Sequence, residues 1–144
     1  MEQSDPLYRR DLLRLAGDAA GAGQMDSPDA AATAHNPACG DRVTVALRLE
    51  KDGRIAALTH TTHACVLTQA SAALLAATGP GLDRAGLEAL EGKVRTMLKD
   101  GAAPPPGYEV FDGVATHAGR HVCVLLPIEA ALRALEQSPD HSGR

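Results

Sequence analysis

The most constraining feature of this chain is a run of alternating residues ending in a tight turn. Val43, Val45, Leu47 and Leu49 alternate with Arg42, Thr44, Arg48 and Glu50. That period of two marks a strand with one buried face. Asp52-Gly53 follows as a turn signal, and Arg54 to Thr62 returns with Ile55, Leu58 and several threonines. Residues 42–62 therefore predict a β-hairpin.

Around it the pattern is helical. Asp5-Pro6 opens a short helix over 7–16, with Tyr8, Leu12, Leu13 and Leu15 mostly on one side. Residues 17–34, rich in Gly, Ala and Asp with Pro28, read as an irregular connector. Residues 66–78 form a breaker-free Ala/Leu helix closed by Gly79-Pro80-Gly81. Residues 83–98 carry Leu87, Leu90, Val94, Met97 and Leu98 at helical spacing. Pro104, Pro105 and Pro106 stiffen an exposed loop. Residues 107–118 fit no single class. Pro127 starts a last helix reaching Gln137, with Ile128, Ala131, Leu132 and Leu135 as its buried stripe. Residues 138–144 are expected to be a flexible tail. The expected fold is one α+β domain over 1–144, a small antiparallel sheet with helices packed on one face.

Composition narrows the function. Apolar residues reach 44%, enough for a core, but aromatics only 2%, so Ala, Leu and Val must fill it. A net charge of −4, and no basic run interleaved with aromatics, argue against nucleic acid. The polar start Met1–Tyr8 precedes no signal-like segment, and the apolar run Val122–Ile128 is far too short to span a bilayer. The expectation is a soluble cytoplasmic protein with no membrane partner.

Three cysteines, with no C-x-x-C pair, leave a disulfide framework one thiol over. If the hairpin turns between Asp52 and Gly53, cross-strand partners have numbers summing to about 105. Residue 41 then lies opposite 64, and 40 opposite 65. Cys39 and Asp41, two apart on extended backbone, point the same way, so Cys39, Asp41 and Cys65 converge at one end of the hairpin. Thiolates suit zinc, copper(I) or iron–sulfur iron, and a carboxylate is a harder donor. Cys65 also precedes a helix, whose amide dipoles favour its thiolate. Cys39 sits in a turn-like segment with little structural use for a cysteine. Cys123, within Val122-Cys123-Val124-Leu125-Leu126, reads either as core or as a third cysteine near a helix start.

Three segments carry a resemblance. Asn36-Pro37-Ala38-Cys39-Gly40-Asp41 resembles the N-P-x-C-G-D signature of the U-type iron–sulfur scaffold proteins (the IscU, SufU and NifU N-terminal group). Ala64-Cys65 with Ala70-Ser71-Ala72 resembles their second motif, and Arg120-His121-Val122-Cys123 their third. Leu7-Tyr8-Arg9 resembles their opening helix, and the match spans about residues 7–137. The resemblance implies that Cys39, Cys65 and Cys123 receive persulfide sulfur from a pyridoxal-phosphate cysteine desulfurase. A transient [2Fe–2S] cluster is then built on them and passed to apo iron–sulfur proteins or a carrier, and Asp41 keeps it labile. Many such proteins instead hold Zn²⁺ through the same four residues. The long Cys65–Cys123 interval and Arg120 resemble the SufU branch, where such an arginine is associated with opening the zinc site at the desulfurase. No L-P-P-V-K chaperone motif is present. Departures are Ala64 where Gly is usual before the second cysteine, Asp18–Gly23 where P-R-N-x-G is usual, and Val122 where IscU-like proteins have His.

His121 is either an alternate ligand or solvated, and His63 either lines the pocket or faces water. Arg42 and Arg120 could offset the charge of an anionic ligand set. Thr68, Gln69 and Ser71 either reach the site from the helix start or face solvent. Three functions follow: a scaffold rather than a catalyst, a zinc-dependent sulfurtransferase with Cys123 as sulfur acceptor, or a structural zinc module.

Overall fold

Alternation along residues 41–49 and 55–63 builds the sheet. The computed structural model describes residues 6–37 and 40–137. Strands β1 (Ala30–Asn36), β2 (Asp41–Leu49) and β3 (Ile55–His63) pair antiparallel in that order. The expected register holds from Arg42↔His63 through Arg48↔Ala57; an irregularity then pairs Leu49 with Ile55. Val43, Val45 and Leu47 are buried on one face.

Helix α1 (Pro6–Asp18) precedes the sheet, and α2 (Val66–Thr78), α3 (Arg84–Asp100) and α4 (His121–Glu136) follow it. Asp83 caps α3 by accepting from the Gly86 amide at 2.8 Å. Helix α4 packs on β1 and β2 and α2 on β3, while α1 lies against α2 and α3 against α4. The α+β class and the helices on the sheet agree with the sequence reading.

Three expectations need correction. The connector is shorter than 17–34, because α1 continues to Asp18 and Ala30–Asn36 is a strand. Ala30, Ala32 and Ala34 are buried there against α4. Alanine is a poor strand former, but its small size lets a helix lie close. The last helix begins at His121, so Pro127 is inside it rather than in its first turn. Proline lacks an N–H, so the Cys123 carbonyl four residues back loses its helical donor. Residues 108–116 form a 3₁₀ segment that buries Tyr108, Phe111 and Val114. Tyr108 and Phe111 pack with ring centroids 5.8 Å apart and planes tilted by 43°, so aromatic rings do fill part of the core. The expected tail 138–144 lies outside the described residues.

His60, on the core face of β3, pins the connector to the sheet edge. Its Nε2 donates to the Ala20 carbonyl at 2.9 Å, and its Nδ1 accepts from Thr62 Oγ1 at 2.8 Å. Burial lowers its pKa below 6.5. The unfolded chain therefore binds the proton more readily, and stability must fall as pH drops below about 6.5. Urea melts at pH 7.5 and 5.5 should show that loss, at most about 1.4 kcal/mol per pH unit. A His60→Asn variant should lack this part of the slope.

Candidate metal centre

Three separate elements bring the donors together. Asp41 opens β2, Cys65 is the N-cap of α2, and Cys123 lies in the first turn of α4. One ligand atom from each lies within 4.8 Å of the others. Cys123 Sγ donates to Asp41 Oδ2 at 3.8 Å. Asp41 is 8% exposed and Cys123 4%, while Cys65 is half-buried. The position of Cys123 within a helix start, rather than ahead of one, is what aims it at the other two. Both helix N-termini thus present amide dipoles to sulfur, which favours negative charge there.

The turn before Asp41 has its own logic. Asn36 pairs with Asp41 across β1 and β2, and the Gly40 amide donates to the Asn36 carbonyl at 2.8 Å. Gly40 has φ +79°, a left-handed conformation that glycine adopts without a steric penalty. The backbone at Gly40 is therefore turned rather than extended. Cys39 itself lies outside the described residues.

Electrostatics define what the site wants. Burial pushes the Cys123 thiol up to about 12, the neighbouring Cys65 and Asp41 push the same way, and the Thr68 hydroxyl pulls down. Packed sulfurs beside a carboxylate repel as anions, and a bound cation reverses that balance. The donor set also fits such an ion. Bonds of about 2.0–2.3 Å to a tetrahedral centre space donors about 3.3–3.8 Å apart; Cys123 Sγ and Asp41 Oδ2, at 3.8 Å, match that spacing, and the whole group lies within 4.8 Å.

Other sequence candidates separate clearly. His121 is outside the group, and its Nε2 donates to the Ala115 carbonyl at 3.0 Å. Arg120 is exposed at the start of α4, with no side-chain partner among the described residues. His63 and Arg42 are exposed and paired across β2 and β3. Ala64 has no positive φ, so the usual glycine is not needed here. Thr68, Gln69 and Ser71 of α2 are not left facing open water. Thr68 is fully buried with Oγ1 3.6 Å from Cys65 Sγ. Gln69 donates to the Ala64 carbonyl at 2.8 Å, and buried Ser71 to the Val124 carbonyl at 2.6 Å, joining α2 to α4. A usable signal for Thr68 was its place: an N-cap side chain and the residue three later meet at a helix start.

A three-stranded antiparallel sheet carrying helices, with a Cys/Cys/Asp cluster where two helix starts meet a strand end, defines a small metal- or sulfur-handling α+β domain. The chain belongs to the family of the NifU-like N terminal domain, whose model matches residues 7–103. Asp41 and Cys65 fall inside that match and Cys123 beyond it. The crystal structure of a nitrogen-fixing NifU-like protein (N-terminal) from Brucella abortus is 32% identical, with TM-score 0.85, covering 94% of this chain and 96% of that one. A protein described as an iron–sulfur cluster assembly scaffold for the SUF system, from Fervidobacterium islandicum AW-1, shares the fold at TM-score 0.76 and 21% identity, covering 87% and 93%. The comparison with curated proteins gives no match in sequence.

Proposed function

We propose that this chain is a cytoplasmic iron–sulfur cluster assembly scaffold whose cargo is held by Cys39, Asp41, Cys65 and Cys123. The observation that carries this reading is the convergence of Asp41, Cys65 and Cys123 from three elements to within 4.8 Å, in a chain of the NifU-like family. Cys39 is included on reach, since two peptide units separate its Cα from that of Asp41 by no more than about 7 Å. Sulfur comes from a pyridoxal-phosphate cysteine desulfurase. A thiolate of this chain attacks the outer sulfur of the enzyme persulfide, that S–S bond breaks, and the enzyme thiolate leaves. One persulfide replaces another, so no oxidant is consumed. A thiol reductant, such as excess cysteine, must then supply electrons to bring each persulfide sulfur to sulfide, and the finished cluster goes to apo iron–sulfur proteins or a carrier.

Asp41 is the releasing ligand. A [2Fe–2S] cluster is normally held by four thiolates, and a carboxylate is a harder, poorer match to the cargo. Cluster on Asp41→Ala should persist longer than on the wild type, about tenfold, followed by decay of its visible absorbance against a chelator. An equal or shorter lifetime sinks this role for Asp41.

The donor spacing also favours a second reading, in which a single Zn²⁺ occupies the site between rounds. Bound zinc supplies a clamp that keeps the thiolates closed. Cys123 is then the sulfur acceptor, and Arg120, exposed beside it in the chain, meets the desulfurase. Under this reading the zinc-loaded protein raises desulfurase turnover; unchanged turnover removes it.

A further inference from the structure

The hydroxyl of Thr68 is used differently from those of the other α2 and α3 threonines. Thr78 Oγ1 donates to the Leu74 carbonyl at 2.9 Å, and Thr96 Oγ1 to the Gly92 carbonyl at 2.8 Å. This is the ordinary back-bond of a helical threonine to the carbonyl four residues before it. The carbonyl that stands four before Thr68 belongs to Ala64, and the Gln69 side-chain amide takes it. Thr68 turns its Oγ1 to the Cys65 sulfur instead, at 3.6 Å, and does so while fully buried. No water reaches it to offer another partner.

A metal-bound thiolate has no proton and can only accept. The hydroxyl must then be the donor, and its direction is fixed. A donor on a ligating sulfur orients it and spreads its charge, as outer partners of metal ligands do. The need is real here, because the sulfurs and Asp41 crowd negative charge into a buried space.

We propose that Thr68 is a positioning residue of the metal centre, donating a hydrogen bond from its hydroxyl to the Cys65 sulfur and aiming that sulfur at the bound ion. This rests on the reading of Asp41, Cys65 and Cys123 as ligands. The closing experiment separates the two claims. Cobalt(II) is titrated into wild type, Thr68→Val and Thr68→Ser under anaerobic conditions. Affinity is read by competition with a chelator, and the sulfur-to-cobalt charge-transfer band is recorded. Thermal melts of the metal-free proteins are taken alongside.

Valine keeps the shape and loses the hydroxyl; serine keeps the hydroxyl and loses the methyl. Thr68→Val should bind cobalt about tenfold or more weakly, with its charge-transfer band moved to lower energy. Thr68→Ser should keep the wild-type band position and stay within about threefold of wild-type affinity. The metal-free Thr68→Val protein should melt with the wild type. A Thr68→Val protein with wild-type affinity and an unmoved band overturns the proposal. So does equal weakening in both variants tracking a loss of metal-free stability, since that is packing alone. Wild type that binds no cobalt overturns the ligand reading itself, and the proposal with it.

Discussion

Cys123→Ser will cost this protein about a hundredfold or more in zinc affinity. Four-ligand zinc sites in small domains are worth about 10–16 kcal/mol, so one ligand carries roughly 3 kcal/mol, and serine is a poor replacement for thiolate. The geometry makes Cys123 the most informative of the three cysteines. Read from sequence, it is the one most easily mistaken for core, lying among Val122, Val124, Leu125 and Leu126. In the fold it is the residue that α4 delivers to Asp41, at 3.8 Å. A plain core cysteine replaced by serine would lower stability and leave the metal affinity of the folded protein alone. Competition with a chelator, alongside a urea melt, distinguishes the two. Unchanged affinity with reduced stability would return Cys123 to the core.

Phe111→Ala should destabilise the chain by about 3–5 kcal/mol, a large part of what a domain of this size has to spare. Phe111 is 0% exposed, in contact with Tyr108, and the 3₁₀ segment that carries it packs on α3. The neighbouring ring gives a contrast. The Tyr108 hydroxyl is buried with no hydrogen-bond partner among the described residues, so its burial costs free energy that Tyr108→Phe removes. That variant should match or exceed the wild type in urea midpoint. A Phe111→Ala protein within about 1 kcal/mol of wild type would mean that the 3₁₀ segment is not part of the core.

How much was legible in the sequence follows from which signals are local. The β2–β3 register could be read from Arg42 to Arg48, because alternation and an Asp-Gly turn specify pairing together. Strand β1 could not. Its run of alanines has neither β-branched nor aromatic weight, and its burial is decided by α4, far along the chain. Residues 108–116 did carry a signal: Tyr108, Phe111 and Val114 are spaced three apart, the period of a 3₁₀ helix. A search for periods of 2 and 3.6 passes over it. Pro127 misled for a related reason, since a first-turn proline is the commoner use, and tertiary packing holds α4 together across it. The meeting of Asp41 with Cys65 followed from hairpin geometry. The arrival of Cys123 followed only from family resemblance, because nothing local joins residues 58 apart in sequence.

The central claim, that this chain assembles iron–sulfur clusters, is tested most directly by metal analysis. Protein purified without oxygen is assayed for zinc, iron and acid-labile sulfide, before and after incubation with a cysteine desulfurase, cysteine and Fe²⁺. The account predicts that iron and sulfide rise together in equal amounts, and that any zinc present at the start is displaced as they do. Protein that takes up neither iron nor sulfide, and keeps whatever metal it began with, would contradict it.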